Sequence, residues 1–344
     1  MAEFLDVATS LHRSGRAGAY QADFDTVFRA IGALQVVHSK ARLDIANIES
    51  VFAAFEFAQI INSFCGYDQA KIPGLAESAR ALITQTIEET VLFPVSGTDV
   101  SPPQPYNRFA QLVLAMREWC RPAHDVSVIT FNYDFAPDFA FKGFGHGIDY
   151  GFGPSRSNAD ALPLLKLHGS ISWAACSVCS DIVPQSFANF MTGRMPGYGS
   201  DRLKIDFSRH FLTLNHCNQR VRPQSVLVPP TWNKSVYHGK LASVWSTAAR
   251  ELADTANVFV IGYSLPETDV FFKYLYALGT VGKMPLERFW VFDPDLPDRP
   301  GSVRERFSSL LGPGAEQRFQ YFRQTFDSGI STLQEALKVP TGPA

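Results

Sequence analysis

The segment from Leu164 to Trp173 constrains the fold of this chain more than any other. It begins as an apolar strand and stops abruptly at His168, which a glycine and a serine follow. Open α/β folds keep their ligand crevices at the carboxyl ends of their strands. An imidazole at such an end can take and give a proton near neutral pH. The segment therefore predicts an α/β protein with a functional histidine at a sheet edge.

Two other β-rich runs end in polar residues of a similar kind. The run 126–131 leads into Asn132, and the run 258–261 leads into Gly262 and Ser264. Because parallel strands present their carboxyl ends at one edge of a sheet, these residues are expected to converge on one site.

Helical and β-rich patterns divide the chain into two parts. The segment from about 20 to 120 predicts helices, with Asn47 as the N-cap of one and a loop at 94–105. Farther along, β-rich runs alternate with helical patterns, which indicates a mainly parallel, doubly wound sheet. The β-rich runs are 126–131, 164–167, 225–228, 257–261 and 288–292. The helical patterns lie near 239–254, 267–279, 302–311 and 329–337, with a last strand near 317–321.

Composition excludes several classes of function. Of the 344 residues, 46% are hydrophobic and 19% are charged, so a sizeable core is expected. The net charge of −2 lacks the positive excess expected for direct nucleic-acid binding, and no apolar run is long enough to span a membrane. The start of the chain lacks a signal-peptide pattern, and the five cysteines are an odd number. These features favour a reducing, cytoplasmic location.

Five sequence blocks together resemble the sirtuin-like (silent-information-regulator-like) NAD-consuming family. The blocks are Thr130-Phe131-Asn132-Tyr133-Asp134, Lys166-Leu167-His168-Gly169-Ser170, Val228-Pro229-Pro230-Thr231-Trp232-Asn233-Lys234, Ile261-Gly262-Tyr263-Ser264-Leu265-Pro266-Glu267-Thr268-Asp269 and Val291-Phe292-Asp293-Pro294. They follow the family's order. The chain looks most similar to the bacterial branch, whose members deplete NAD in anti-phage defence.

The resemblance implies a fold and a reaction. The fold would be one Rossmann-like domain over residues 1–344, an α/β doubly wound and mainly parallel sheet. It would carry the helical segment 20–120 and a small zinc-ribbon-like insertion at 174–222. NAD would be the substrate, cleaved between nicotinamide and ribose to give nicotinamide and ADP-ribose.

The resemblance also implies a catalytic pair, since the family's catalytic positions match Asn132 and His168. Cleavage of this bond passes through a cationic, oxocarbenium-like ribose. Asn132 would then position a water, and His168 would act as the base. Each residue also has a structural interpretation. His168 would be a strand-end imidazole satisfied by backbone carbonyls, and Asn132 would close an Asx-turn.

The remaining cofactor contacts are expected at the same strand ends. Thr130 belongs to the matching block, and Asp134 would bind a ribose or stabilise positive charge. Gly262 would let the backbone approach a phosphate, and Ser264 would bind beside it or start an ordinary helix. Asp293 would hold the adenosine ribose or form a turn. For Asp134 too, the structural alternative is an Asx-turn that closes the strand.

A cysteine cluster suggests a structural metal. Sirtuins carry two Cys-x-x-Cys pairs at this point, and here Arg220 stands in place of the last cysteine. Zinc accepts three sulfurs and one nitrogen, so Cys176, Cys179, His216 and Cys217 would form a tetrahedral site. The alternative is a decayed ribbon with free thiols.

The family's opening strand and glycine-rich phosphate turn have no match. Gly15–Ala19 contains the glycines and alanines of such a turn, but the segment 4–11 before it predicts a helix and not a strand. We expect from this that the chain begins downstream of the phosphate loop, and so binds NAD poorly or is unstable alone. Expression with about 30 further upstream codons tests this, since equal thermal stability and NAD affinity would contradict it.

Three functions are compatible with these residues. The first is an NAD glycohydrolase in antiviral defence. The second is a nucleotide-sensing scaffold without turnover, and the third is an NAD-dependent protein deacylase. Unregulated NAD destruction would kill the host cell, so we expect control by a homo-oligomer or a regulatory protein partner, with residues 20–120 as the contact surface.

Overall fold

A computed structural model gives the fold of the chain. It describes residues 2–36, 43–64, 66–96, 99–119, 126–153, 160–185, 201–207, 211–228, 238–266, 269–279 and 284–339. These residues form two compact units, each assembled from separate stretches of chain. The first unit comprises 1–100, 133–135 and 168–238, and the second comprises 101–132, 136–167 and 239–344.

Four helices form the amino-terminal part of the first unit. They are α1 (Ala2–Arg13), α2 (Gln21–Val36), α3 (Ile48–Ile61) and α4 (Pro73–Thr90). The predicted cap is confirmed, because the Asn47 side chain accepts the backbone N–H of Glu49 at 2.9 Å. The helices enclose a core of large apolar side chains, which includes Phe24, Val51, Phe52, Phe55, Leu75 and Leu82.

Two antiparallel sheets complete the first unit. Strands β1 (Phe93–Ser96), β2 (Asp99–Val100) and β8 (Arg202–Leu203) pair in the order β2-β1-β8. Strands β6 (Gly169–Cys176), β7 (Ile182–Pro184), β9 (Asn215–His216) and β10 (Gln219–Leu227) pair in the order β7-β6-β10-β9.

These sheets correct two expectations. Part of the loop predicted at 94–105 forms the strands β1 and β2. The run 225–228 was expected to alternate with helices in a parallel sheet, but it ends β10, which pairs antiparallel with β6. The reason is that an apolar run shows that a strand is buried, and does not show which strand lies beside it.

The second unit contains the parallel strands. One sheet has the order β3-β5-β4, from β3 (Val128–Thr130), β4 (Ile148–Asp149) and β5 (Leu162–Lys166). The other has the order β11-β12-β13, from β11 (Asn257–Ile261), β12 (Arg288–Asp293) and β13 (Phe319–Arg323). All pairs in both sheets are parallel, which confirms the α/β class.

In the part of the chain that the structure describes, six helices accompany these strands. They are α5 (Tyr106–Trp119), α6 (Ala136–Gly143), α7 (His238–Asp254), α8 (Val270–Gly279), α9 (Val303–Ser308) and α10 (Phe326–Ala336). A core of Leu112, Phe292, Ile330, Leu333 and Val339 joins α5, β12 and α10. Among the described residues, no helix is both long and apolar enough to cross a bilayer.

Candidate functional site

In the second unit, polar residues follow the carboxyl ends of β3 and β11. The Thr130 hydroxyl accepts the backbone N–H of Asn132 at 3.1 Å, which turns the chain at the end of β3. The Asn132 amide is exposed and donates to the Tyr106 hydroxyl at 3.4 Å. Asn132 therefore presents its side chain to solvent.

Aromatic side chains connect the ends of β3 and β11. The Phe131 ring stacks on the Tyr263 ring with 4.1 Å between centroids and an interplanar angle of 7°. The Tyr106 ring lies 5.9 Å from that of Phe326, and Phe326 in turn packs against Gly262. The structure thus brings Asn132 and Gly262, which follow two of the three strand ends expected to converge, to a common aromatic cluster.

Gly262 turns the chain where β11 ends. Its N–H donates to the Phe292 carbonyl at 3.0 Å, and its φ of +68° is a conformation that glycine adopts without strain. Gly262 and Ser264 are both exposed. The interpretation of Ser264 as the start of an ordinary helix is wrong, because Leu265 takes a left-handed φ of +48° and α8 begins only at Val270.

Asp293 forms the predicted turn at the end of β12. Its carboxylate accepts the backbone N–H of Asp295 at 2.9 Å, and its own carbonyl accepts from the Tyr321 hydroxyl at 3.1 Å. Burial raises the pKa of Asp293 against the opposing effect of the Asp295 N–H, and Asp295 itself raises it further. The turn leaves a role in ribose binding open, because one carboxylate can serve both.

His168 and Asp134 belong to the first unit. The His168 side chain is buried, and its ring centroid lies 6.1 Å from that of Tyr133. Its carbonyl accepts the Val228 N–H at 2.9 Å, which ties this strand end to β10. Asp134 is half-buried. The backbone around His168 is therefore fixed by the antiparallel sheet of its own unit.

The four residues predicted to bind metal lie together in the first unit. The ligand atoms of Cys176, Cys179, His216 and Cys217 all lie within 4.8 Å of one another. His216 Nδ1 is 3.5 Å from Cys179 Sγ and 3.4 Å from Cys217 Sγ, and the two sulfurs are 3.7 Å apart. Tetrahedral zinc with bonds of about 2.0–2.3 Å separates its ligand atoms by roughly 3.4–3.8 Å.

The residues therefore fit zinc. The backbone N–H groups of Cys179 and Val178 lower the pKa of the Cys176 thiol to about 6, which favours the thiolate that binds metal. Burial and the thiols of Cys176 and Cys217 raise the pKa of Cys179 to about 11, so metal binding there would displace a proton. A tight hairpin with positive φ at Cys217 and Asn218 places both His216 and Cys217 at one point. Four protein ligands leave zinc no open position, so its role here would be structural.

Sequence reasoning missed a buried ion pair in the second unit. Lys166 Nζ lies 2.7 Å from the Asp138 carboxylate, and the Tyr150 hydroxyl donates to the same carboxylate at 2.6 Å. Both charged side chains have no exposed surface. The lysine within the apolar run at 164–167 was a signal, since a charge inside a strand needs a partner. Sequence reasoning also missed Tyr106 and Phe326, which lie beside Asn132 and Gly262, and no sequence pattern marked them.

Two of the matching blocks lie partly outside the described residues. Residues 229–234 and 267–268 of the blocks that carry the sirtuin-like resemblance belong to the undescribed part of the chain. The other blocks lie within the described ranges.

Comparisons with known proteins give a weak likeness. No protein-family model matches the chain, and no curated protein matches it. Among solved structures, the chain is similar to a Sir2 homologue in complex with NAD, with 15% identity, coverage of 78% of this chain and 75% of that chain, and a TM-score of 0.37. It is also similar to Sir2Tm bound to a propionylated peptide, with 12% identity, coverage of 67% and 71%, and a TM-score of 0.32. Likeness at this level says nothing about what this chain binds.

Proposed function

We propose that this protein is an NAD glycohydrolase, which releases nicotinamide and ADP-ribose. One observation carries the proposal. In the second unit, an exposed Asn132 amide and an exposed Gly262 turn lie at the carboxyl ends of parallel strands and share one aromatic cluster. This is the edge where open α/β folds bind nucleotides.

The chemistry assigns a role to each residue. Asn132 is uncharged and both donates and accepts hydrogen bonds, so it orients a water or a ribose hydroxyl at the reacting carbon. His168 serves as the base. Gly262 and Ser264 contact the phosphates, Asp293 contacts the adenosine ribose, and Thr130 and Asp134 support the nicotinamide ribose.

The test is NAD consumption by the purified chain, with nicotinamide quantified by chromatography. Asn132→Ala and His168→Ala are expected to abolish turnover, while His146→Ala, a matched control outside the predicted site, is expected to retain it. Wild-type protein that binds ADP-ribose without turnover would contradict the proposal and favour a nucleotide-sensing scaffold.

A second candidate is an NAD-dependent protein deacylase. The break in the second cysteine pair argues against a deacylase, but the clustering of Cys176, Cys179, His216 and Cys217 offsets it, because these residues fit zinc without the missing cysteine. An acetyl-lysine peptide separates the two candidates. Deacetylation that consumes NAD in step with peptide would favour the deacylase, whereas NAD loss that is independent of peptide favours the glycohydrolase.

The biological role that we propose is antiviral defence in the bacterial cytoplasm, following the family resemblance. Cells that express the chain are expected to resist phage and to lose NAD after infection. Cells with His168→Ala should do neither. Control of this activity is assigned to self-association or to a protein partner.

A further inference from the structure

A stacked pair of rings connects two strand ends of the proposed site in the second unit. Phe131 directly precedes Asn132 at the end of β3, and Tyr263 directly follows Gly262 at the end of β11. The two rings are nearly parallel, with 4.1 Å between their centroids. The position of the Tyr263 ring therefore bears on the spacing between Asn132 and Gly262.

A buried carboxylate holds the Tyr263 ring at its hydroxyl end. The hydroxyl donates to the side chain of Asp269, a residue that is only 1% exposed. The backbone of Asp269 is fixed as well, because its N–H donates to the Pro266 carbonyl at 2.9 Å and its carbonyl accepts the Phe272 N–H at 3.2 Å. A hydrogen bond to a carboxylate is roughly twice as strong as one between neutral groups, so Asp269 is a firm anchor for the ring.

The same hydrogen bond closes the turn that carries Ser264. Tyr263 and Asp269 are six residues apart in the chain. Between them, Ser264 is exposed and its carbonyl accepts Arg306 Nε at 3.0 Å, while Leu265 is buried. The turn is thus held by its ends and by its backbone, and the Ser264 side chain is left accessible to a ligand.

Packing alone does not require a polar pair here. Phe272 packs edge-on against the rings of Phe131 and Tyr263, with centroids 5.4 and 5.6 Å apart, and Phe307 packs edge-on against Tyr263 at 6.2 Å. Apolar side chains at positions 263 and 269 would fill this space without the free-energy cost of burying a carboxylate. The hydrogen bond instead adds a directional contact that selects one position of the Tyr263 ring.

We infer that Tyr263 and Asp269 are positioning residues, which hold Asn132 and the Gly262 turn at the spacing that the dinucleotide requires. The inference rests on the proposed function, in which Asn132 acts at the reacting carbon and the Gly262 turn contacts the phosphates. An error in this spacing costs more in turnover than in binding, because a misplacement of about 1 Å lowers a rate by as much as about 100-fold.

The test measures kcat and KM for NAD, and the Kd of ADP-ribose, with the full chain. Tyr263→Phe keeps the stacked ring and loses the bond to Asp269. It is expected to lower kcat about tenfold and to raise KM and the Kd about threefold. Asp269→Ala should match it, whereas Asp269→Asn keeps an acceptor for the hydroxyl and should restore most of kcat. Tyr276→Phe is the matched control, because Tyr276 is another tyrosine that packs against Phe272.

The double variant Tyr263→Phe with Asp269→Ala tests whether the two residues act through one hydrogen bond. Its kcat should fall no further than that of either single variant, because each substitution removes the same contact. Urea unfolding of every variant, measured in parallel, checks that the proteins compared are folded.

Three results would overturn the inference. They are an unchanged kcat in both single variants, losses of kcat that add in the double variant, and a loss in Tyr276→Phe as large as that in Tyr263→Phe. Failure of the proposed function is read separately. Wild-type protein that binds ADP-ribose without releasing nicotinamide would remove the glycohydrolase. The inference would then stand if Tyr263→Phe raised the Kd of ADP-ribose, and fall if the Kd did not change. Neither release nor binding by the wild-type protein would remove both.

Discussion

Gly169 shows how a single residue fixes the strand end that carries His168. Its φ is +85°, and a Cβ built there would lie 2.1 Å from the Val226 carbonyl oxygen. No side chain fits that space, so β6 and β10 can approach this closely only with glycine at this position. The His168-Gly169-Ser170 pattern is therefore explained in part by backbone packing, whatever the imidazole does.

We expect Gly169→Ala to destabilise the protein severely. Left-handed φ alone costs an alanine about 1–2 kcal/mol, and here the clash with backbone adds to it. Gly15→Ala is the control, because Gly15 has a φ of +71° and open space around it. Urea unfolding measures both. If the two variants lost equal free energy of unfolding, the close approach of Gly169 to Val226 would contribute nothing to stability.

Glu88 provides a second prediction at this scale. It is buried on α4, and its carboxylate accepts the Phe207 N–H at 2.8 Å. Burial raises its pKa from 4.5 to about 8, with the Phe207 N–H opposing the rise. The folded state thus favours the protonated acid, so its stabilising contribution is full below pH 4.5 and is lost as the pH rises through about 8.

Replacing Glu88 with Gln is expected to flatten the stability profile over that pH window. The wild-type protein should lose free energy of unfolding from pH 5 to pH 8 relative to the variant. Urea midpoints across this range measure the effect, with Glu77→Gln, an exposed residue of the same helix, as the control. Parallel profiles for wild type and Glu88→Gln would contradict the prediction.

At the scale of elements, the β9–β10 hairpin and the turn after β6 meet through their cysteines and His216. Hydrogen bonds hold the same two elements together beside the cluster, as Ser177 donates to the Arg220 carbonyl at 2.9 Å. Arg220, which replaces the expected cysteine, thus supports the site through its backbone. Its neighbours His216 and Cys217 supply the ligands.

We expect the purified chain to contain about one zinc, and a chelator to lower its Tm by about 5 °C or more, as the loss of ~2 kcal/mol would in a protein of this size. Cys217→Ser should lose the metal and start from the lower Tm. Val178→Ala, at an exposed position of the turn after β6, should keep it. Elemental analysis measures the zinc content, and thermal unfolding measures the Tm. Wild-type protein that contains no metal, and whose Tm does not change with the chelator, would mean that the thiols are free.

The buried pair of Lys166 and Asp138 joins the end of β5 to the first turn of α6. Lys166→Met leaves a buried carboxylate without its cation and is expected to cost about 3–5 kcal/mol. The double variant Lys166→Met with Asp138→Asn removes both charges and keeps an acceptor for Tyr150, so it should recover most of the loss. Denaturant unfolding of both variants measures this, and a double variant as unstable as the single one would contradict it.

At the scale of the whole molecule, removing residues 20–120 is a poor test of their role in assembly. Arg80 on α4 donates to the carbonyl of Leu227 on β10 and forms an ion pair with Glu56, so these helices are part of the core of their unit. The exposed apolar face of α3 is a sharper target. It consists of Phe57, Ile60 and Ile61, each more than half exposed.

We expect the wild-type chain to sediment as an oligomer and the triple serine variant at these positions to sediment near 38.1 kDa, the mass of one chain. Tyr274→Ser with Leu278→Ser is the control, because these residues form a similar exposed face on α8. A wild-type chain that is monomeric would remove self-association and leave control to a different protein.

Sequence alone determined the local elements and the residue types at their ends. Asn47 caps α3 as predicted, and every parallel strand except β4 lies close to a predicted run. Asn132 and Gly262 follow strands as expected. Caps, apolar periodicity and glycine turns act over a few residues, which is why the sequence predicts them. Tertiary structure decided which strands pair, and that Asp138 is the buried partner of Lys166. Those features depend on contacts between residues far apart in the chain, where many partners satisfy the same local pattern and only packing selects one.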